Sequence, residues 1–325
     1  MVYDKRNARR WSIMGERPTF GLAVHECARE NADIIAVVAD ISGSAGLERM
    51  RKEMPDRVIN VGIAEQNMMG IATGLASEGF TVFTTSFAPF QTMRCLEQIR
   101  VNQGYMGQKV IMTGLAAGAA YGELGFTHCT IEDVGVLRSI PNIAIVTPAD
   151  CTEVVKTVEA AISYEQSVYI RLLGKTNVPV VYSDDYHFEI GKSICLADGE
   201  SIAVLANGTA VYPSLQAMKR IVEETGTQVA VFDFHTTKPL DCEILDKIME
   251  RFAAVLTVEE HSMIGGLGSA VSEYYSEKKY RIPVYKMGMP DAYPHGASHE
   301  TLLSELDLTD EGIYNKIKLI LEELS

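Results

Sequence analysis

Short runs of wholly apolar, β-branched residues alternate along this chain with longer stretches whose apolar residues recur at i, i+3 and i+4. Residues 34–39 (IIAVVA), 58–61, 80–85, 110–113, 143–147 and 168–171 read as strands. Met68, Met69, Ala72, Leu75 and Ala76 form the stripe of one intervening helix, and Val154, Val155, Val158 and Ile162 that of another. A strand that is apolar on both sides needs cover on both faces. Alternation with helices supplies that cover as a parallel sheet between two helical layers.

The pattern loosens over 173–200, a stretch rich in turn formers and acidic residues that reads as a linker. A second series follows, with strands at 201–206, 228–234, 254–259 and 282–287 and a last helix over 310–324. Gly226 stands where a helix C-cap belongs. The expectation is an α/β protein of two doubly wound, mostly parallel-sheet domains, residues 1–180 and 190–325. A chain of 325 residues is long enough to bury a core in each.

Charge narrows the function. Lys and Arg number 29 against 43 Asp and Glu, a net charge of −14 with no basic tract. Such a chain is a poor partner for nucleic acid or an anionic membrane. An anionic substrate must be held by a few placed cations. The six cysteines form no CxxC pair and fit neither a zinc site nor a disulfide framework, which points to free thiols in a reducing compartment. The first residues are charged and lack an apolar targeting core, and no window reaches ~18 apolar residues. The expected location is the cytoplasm.

The most informative segment is 58–90, VINVGIAEQNMMGIATGLASEGFTVFTTSFAPF. A strand ends at Val61, turns at Gly62 and opens a helix at Glu65. That puts a carboxylate at the C-terminal edge of a parallel sheet, where α/β proteins bind ligands. From position alone Glu65 also reads as a first-turn glutamate favoured by the helix dipole. Phe87 and Phe90, three residues apart, read equally as core aromatics.

This segment resembles the pyrimidine-binding domain of thiamine-diphosphate enzymes. The nearest families are transketolase, 1-deoxyxylulose-5-phosphate synthase and the beta subunit of 2-oxo acid dehydrogenases. The second half is similar to the C-terminal domain of the same enzymes through TTKPLD (236–241) and EEHSMIGGLGSAV (259–271). The resemblance runs through essentially the whole chain.

The resemblance implies roles residue by residue. Glu65 would hold a proton at the cofactor's aminopyrimidine. Phe90 would stack on that ring, with Phe87 beside it. Asp40, at the end of IIAVVAD, would lie near the cofactor. His128, in GFTHCTIED, would face the substrate and act on its hydroxyls. Arg171 would hold the substrate's anionic end, with Arg17 and Ser44 near other anion-contacting positions. Leu124 replaces the family's Asp in D-G-x-T-H, which puts the usual sugar stereochemistry in question. The GGLGSA turn at 265–270 lacks Walker A spacing and reads as a tight turn, not a nucleotide loop.

No G-D-G motif occurs in the sequence. In this family that motif, with a later Asn, holds Mg²⁺ against the cofactor's diphosphate. The resemblance therefore implies the C-terminal section of a split transketolase, with no metal ligand in this chain. The partner would be an N-terminal subunit carrying the diphosphate domain and the Mg²⁺ ligands, in an α2β2 assembly. The implied reaction moves a two-carbon ketol unit from a ketose, phosphorylated in the main reading, to an aldose, as in pentose phosphate metabolism. The rivals are a specialised transketolase for a sulfosugar or branched pentose phosphate, a synthase-like or dehydrogenase-like thiamine enzyme, and a non-catalytic partner module.

Overall fold

The computed structural model describes residues 1–173 and 176–324. Among the described residues, twelve strands run in chain order: β1 (Ile34–Val38), β2 (Val58–Asn60), β3 (Thr81–Phe87), β4 (Ile111–Leu115), β5 (Ile143–Val146), β6 (Ser167–Arg171), β7 (Ile194–Ala197), β8 (Ile202–Ala206), β9 (Ala230–Asp233), β10 (Thr236–Lys238), β11 (Ala254–Ser262) and β12 (Val284–Met289). They form a seven-stranded sheet, β10-β5-β6-β4-β3-β1-β2, and a five-stranded sheet, β12-β11-β8-β9-β7. All pairings are parallel except β10 with β5 and β7 with β9.

The inner strands of each sheet are buried on both faces, as continuous apolar strands require. Ile34, Ala36 and Val38 of β1 point into one layer, where Phe20 and Val24 of helix Glu16–Glu30 meet Val154, Val155 and Val158 of helix Cys151–Ser163. The alternate residues Ile35 and Val37 point into the other, against Met68, Met69 and Ala72 of helix Glu65–Ser77. The second sheet divides likewise, with Ile202, Val204 and Ala206 on one side and Ala203 and Leu205 on the other. Gly226 caps helix Val211–Thr225 in the left-handed region, φ 75°.

Two strands depart from the sequence expectation. Residues 194–197, read as linker, are β7, an edge strand of the second sheet. Thr236–Lys238, in the second half of the chain, is β10 and adds to the edge of the first sheet. The second half of the chain thus closes the first sheet. At its other end β11 leads through Gly265 and Gly266 into helix Leu267–Ser276. The amides of Leu267 and Gly268 donate to the Glu259 carboxylate at 2.7 and 2.8 Å. A Cβ at Gly266 would lie 2.1 Å from that carboxylate, so glycine is needed there. This helix start is filled by the chain's own anion. Among the described residues no helix is long and apolar enough to cross a membrane.

Candidate active site

The C-terminal ends of β1, β2, β3 and β4 open on one edge of the first sheet. Asn60, the last residue of β2, ties the first two together. Its side-chain oxygen accepts from the amides of Asp40 and Gly62, both at 3.0 Å, and its Nδ2 donates to Asp40 at 3.2 Å. Asp40 is exposed and held in the left-handed region at φ 60°, which Asp tolerates better than most residues. Gly62 turns at φ 73° and delivers Glu65 as the first residue of its helix.

Glu65 is 4% exposed. Its carboxylate accepts from Nη1 of Arg94 at 2.7 Å, and the helix N-terminus adds a favourable field. The Arg94 guanidinium also lies over the ring of Phe90, 3.9 Å from its centroid. Phe90 follows β3 in a single helical turn, Ala88–Gln91. It meets Phe87 edge-on at 6.2 Å and the His128 ring at 5.6 Å. His128 is 6.1 Å from Phe87, and the Tyr121 ring meets Phe87 edge-on at 5.5 Å. Glu65, Arg94, Phe90, Phe87, His128 and Tyr121 therefore make one connected cluster. Thr127 Oγ1 lies 2.9 Å from His128 Nδ1 and fixes the ring's orientation.

Of the expected anion-holding residues, Arg17 reaches this cluster. Its Nη1 donates to the Tyr121 hydroxyl, and its Nε is buried without a partner. Ser44 is exposed on the loop after β1. That loop packs back on Arg17: a Cβ at Gly46 would lie 2.8 Å from the Arg17 carbonyl. Leu124 is 57% exposed, beside the exposed Glu123.

Arg171 requires a correction. It is 2% exposed, and its Nε donates to both oxygens of Asp133 at 2.9 and 3.1 Å. Its Nη2 donates to the Glu260 carbonyl at 2.9 Å. Asp133 also accepts from the Tyr169 hydroxyl at 2.7 Å. A guanidinium spent on a buried carboxylate is not available to a substrate anion, so Arg171 is a structural cation between the two halves of the chain.

The family model for the transketolase pyrimidine-binding domain matches residues 15–179, and that for the transketolase C-terminal domain matches residues 191–313. The chain belongs to the transketolase family. A subunit of an apulose-4-phosphate transketolase from Phocaeicola vulgatus is 40% identical over 299 residues, covering 91% of this chain and 94% of the relative. A 6-deoxy-6-sulfo-D-fructose transketolase subunit from a Clostridium species is 33% identical, covering 91% of each. A solved split-gene transketolase, described as an inactive beta4 tetramer, superposes with a TM-score of 0.84 at 37% identity, covering 94% of this chain and 97% of that one.

Transketolase membership implies thiamine diphosphate chemistry. Two members of the cluster escaped the sequence reading. Arg94 stands four residues after Phe90, about one helical turn, and that spacing was its only signal. Tyr121 lies in the loop TGLAAGAAYGELG, whose small residues carry no pattern that marks an aromatic as functional.

Proposed function

We propose that this chain is one subunit of a two-chain, thiamine-diphosphate-dependent transketolase of the cytoplasm. It would transfer a two-carbon ketol unit from an anionic ketose to an aldose. The carrying observation is the convergence of Glu65, Phe90, Phe87 and His128 at one sheet edge. The residues fit the cofactor's aminopyrimidine. A buried carboxylate beside an aromatic face already takes a flat nitrogen donor there, the Arg94 guanidinium. Six free cysteines suit a reducing compartment.

When bound, thiamine diphosphate supplies the nucleophilic carbon and the electron sink. Glu65 would hold a proton at the ring nitrogen it faces. Phe90 would fix the ring plane, and Phe87 would wall the pocket. His128, oriented by Thr127, would take and return substrate hydroxyl protons. Arg17, with Tyr121 beside it, would hold the substrate's anionic end, and Ser44 lies on the loop against it. Asp40 and Asn60 would shape the cofactor edge. Mg²⁺ and the diphosphate would be held by a partner chain in an α2β2 heterotetramer, because this chain carries no G-D-G motif.

The test is turnover of the assembled enzyme on ketose phosphates. Glu65→Gln should lower the rate by ~10²–10⁴-fold while assembly is unchanged. Undiminished turnover would remove Glu65 from the mechanism, and release of CO₂ from a 2-oxo acid donor would favour the synthase-like reading. A branched or sulfonated ketose is the second reading. It is favoured by Leu124 in place of the family's Asp and by the substrates named in the two relatives.

A further inference from the structure

We infer that Arg94 is a placeholder for the cofactor's aminopyrimidine ring, occupying its place until the cofactor displaces it. The inference rests on the reading that Glu65 and Phe90 hold that ring. A carboxylate as enclosed as Glu65 is costly to leave unpaired. The guanidinium satisfies it with a planar N–C–N edge, donating from Nη1 at 2.7 Å, and covers the Phe90 face at 3.9 Å. An aminopyrimidine would offer the same two features, a flat π-face and a nitrogen edge. Both groups cannot hold the same carboxylate oxygen over the same ring.

The local backbone lets the side chain leave by itself. The Arg94 amide donates to the Pro89 carbonyl at 3.2 Å. Its carbonyl accepts from Gln66 Nε2 at 3.0 Å, and the Cys95 thiol donates to the Phe90 carbonyl at 3.2 Å. The turn is pinned at three points. The guanidinium at the end of a flexible side chain that is 42% exposed can swing into solvent without refolding anything. Exchange then replaces one charge-assisted contact with another, and Glu65 is never left bare.

The test is calorimetric titration of thiamine diphosphate with Mg²⁺ into the complex of this chain with the partner that carries the diphosphate domain. Arg94→Ala should tighten cofactor binding by ~10-fold, the scale of one partly exposed cation–π and ion-pair contact. The same variant should melt earlier than wild type without cofactor, because Glu65 has lost its partner. Added methylguanidinium should compete with the cofactor in Arg94→Ala and not in wild type. Weakened binding in Arg94→Ala would make Arg94 a cofactor ligand, and unchanged binding would mean it does not compete; either overturns the inference. Phe90→Ala separates the two levels. If it weakens binding while Arg94→Ala changes nothing, only the placeholder falls. If Phe90→Ala leaves binding intact, the aminopyrimidine site itself has been misplaced.

Discussion

At Arg171 the guanidinium, the Asp133 carboxylate and the Tyr169 hydroxyl are all fully enclosed, and Asp133 accepts from both of the others. Removing one partner of a buried ion pair leaves an uncompensated charge, which costs ~3–5 kcal/mol. Arg171→Met should therefore lower the melting temperature and the denaturant midpoint sharply. Arg17→Ala should behave in the opposite way. Its guanidinium is partly exposed and meets a neutral hydroxyl, so stability should change little. The KM for an anionic ketose should rise by roughly 10–100-fold, the worth of one charge-assisted hydrogen bond of ~1.5–3 kcal/mol. Equal KM effects from the two variants would undo this division. A strand-end arginine reads the same in sequence whether it faces a substrate or an aspartate 38 residues earlier; only packing tells them apart.

At the element scale, the start of helix Cys151–Ser163 carries an unusual load of buried acid. Asp150 caps the helix through the Glu153 amide and also accepts from the amides of Val181 and Tyr182, each at 2.8 Å. Tyr182 donates to Asp233 at the end of β9, and Tyr186 donates to Glu153. Burial pushes Asp150 up to about 6 and Asp233 up to about 7. Burial, then the Asp233 charge, pushes Glu153 well above the carboxylate range. The folded state therefore holds protons that the unfolded chain releases near pH ~4. Stability from these groups is full below that value and is lost as pH rises through 6–7, by on the order of 1 kcal/mol per pH unit per group. Asp233→Asn should flatten this part of the melting curve measured from pH 4 to 8. An unchanged slope would mean these carboxyls titrate normally.

The elements themselves were unevenly legible. β1, β5 and β8 are apolar on both sides and stand out from any neighbouring helix. β7 and β10 are only four and three residues long and lie at sheet edges. Thr236–Lys238 has no local reason to be a strand, and pairs because β5 offers it an open edge. Glu65, Phe87 and Phe90 stood out only through the resemblance of the 58–90 segment to the family's pyrimidine-binding domain, since their positions on regular elements fitted a structural role equally well. Arg94 and Tyr121 sit in turns, where spacing carries little information.

Across the whole molecule, the two sheets are bound by polar contacts that cross between them. Glu260 of β11 accepts from the Ala119 amide at 2.9 Å and from His299 at 2.8 Å, and its carbonyl takes Arg171. Its carboxyl is held below the usual range despite burial, chiefly by His299. The second half of the chain thus steadies the loop that carries Tyr121 and His128 toward the first sheet's edge. The net charge is −14, and the glycine-rich loop–helix start at Gly265–Gly266, where a phosphate could have been cradled, is closed by Glu259. Under the proposed function, the diphosphate would be held by a second chain set against the first sheet's edge. The most direct measurement is calorimetric binding of thiamine diphosphate with Mg²⁺ to this chain alone and to its mixture with a partner carrying G-D-G and the later Asn. Binding by the mixture alone is the expected result. Tight binding by the isolated chain would contradict a site shared between two chains.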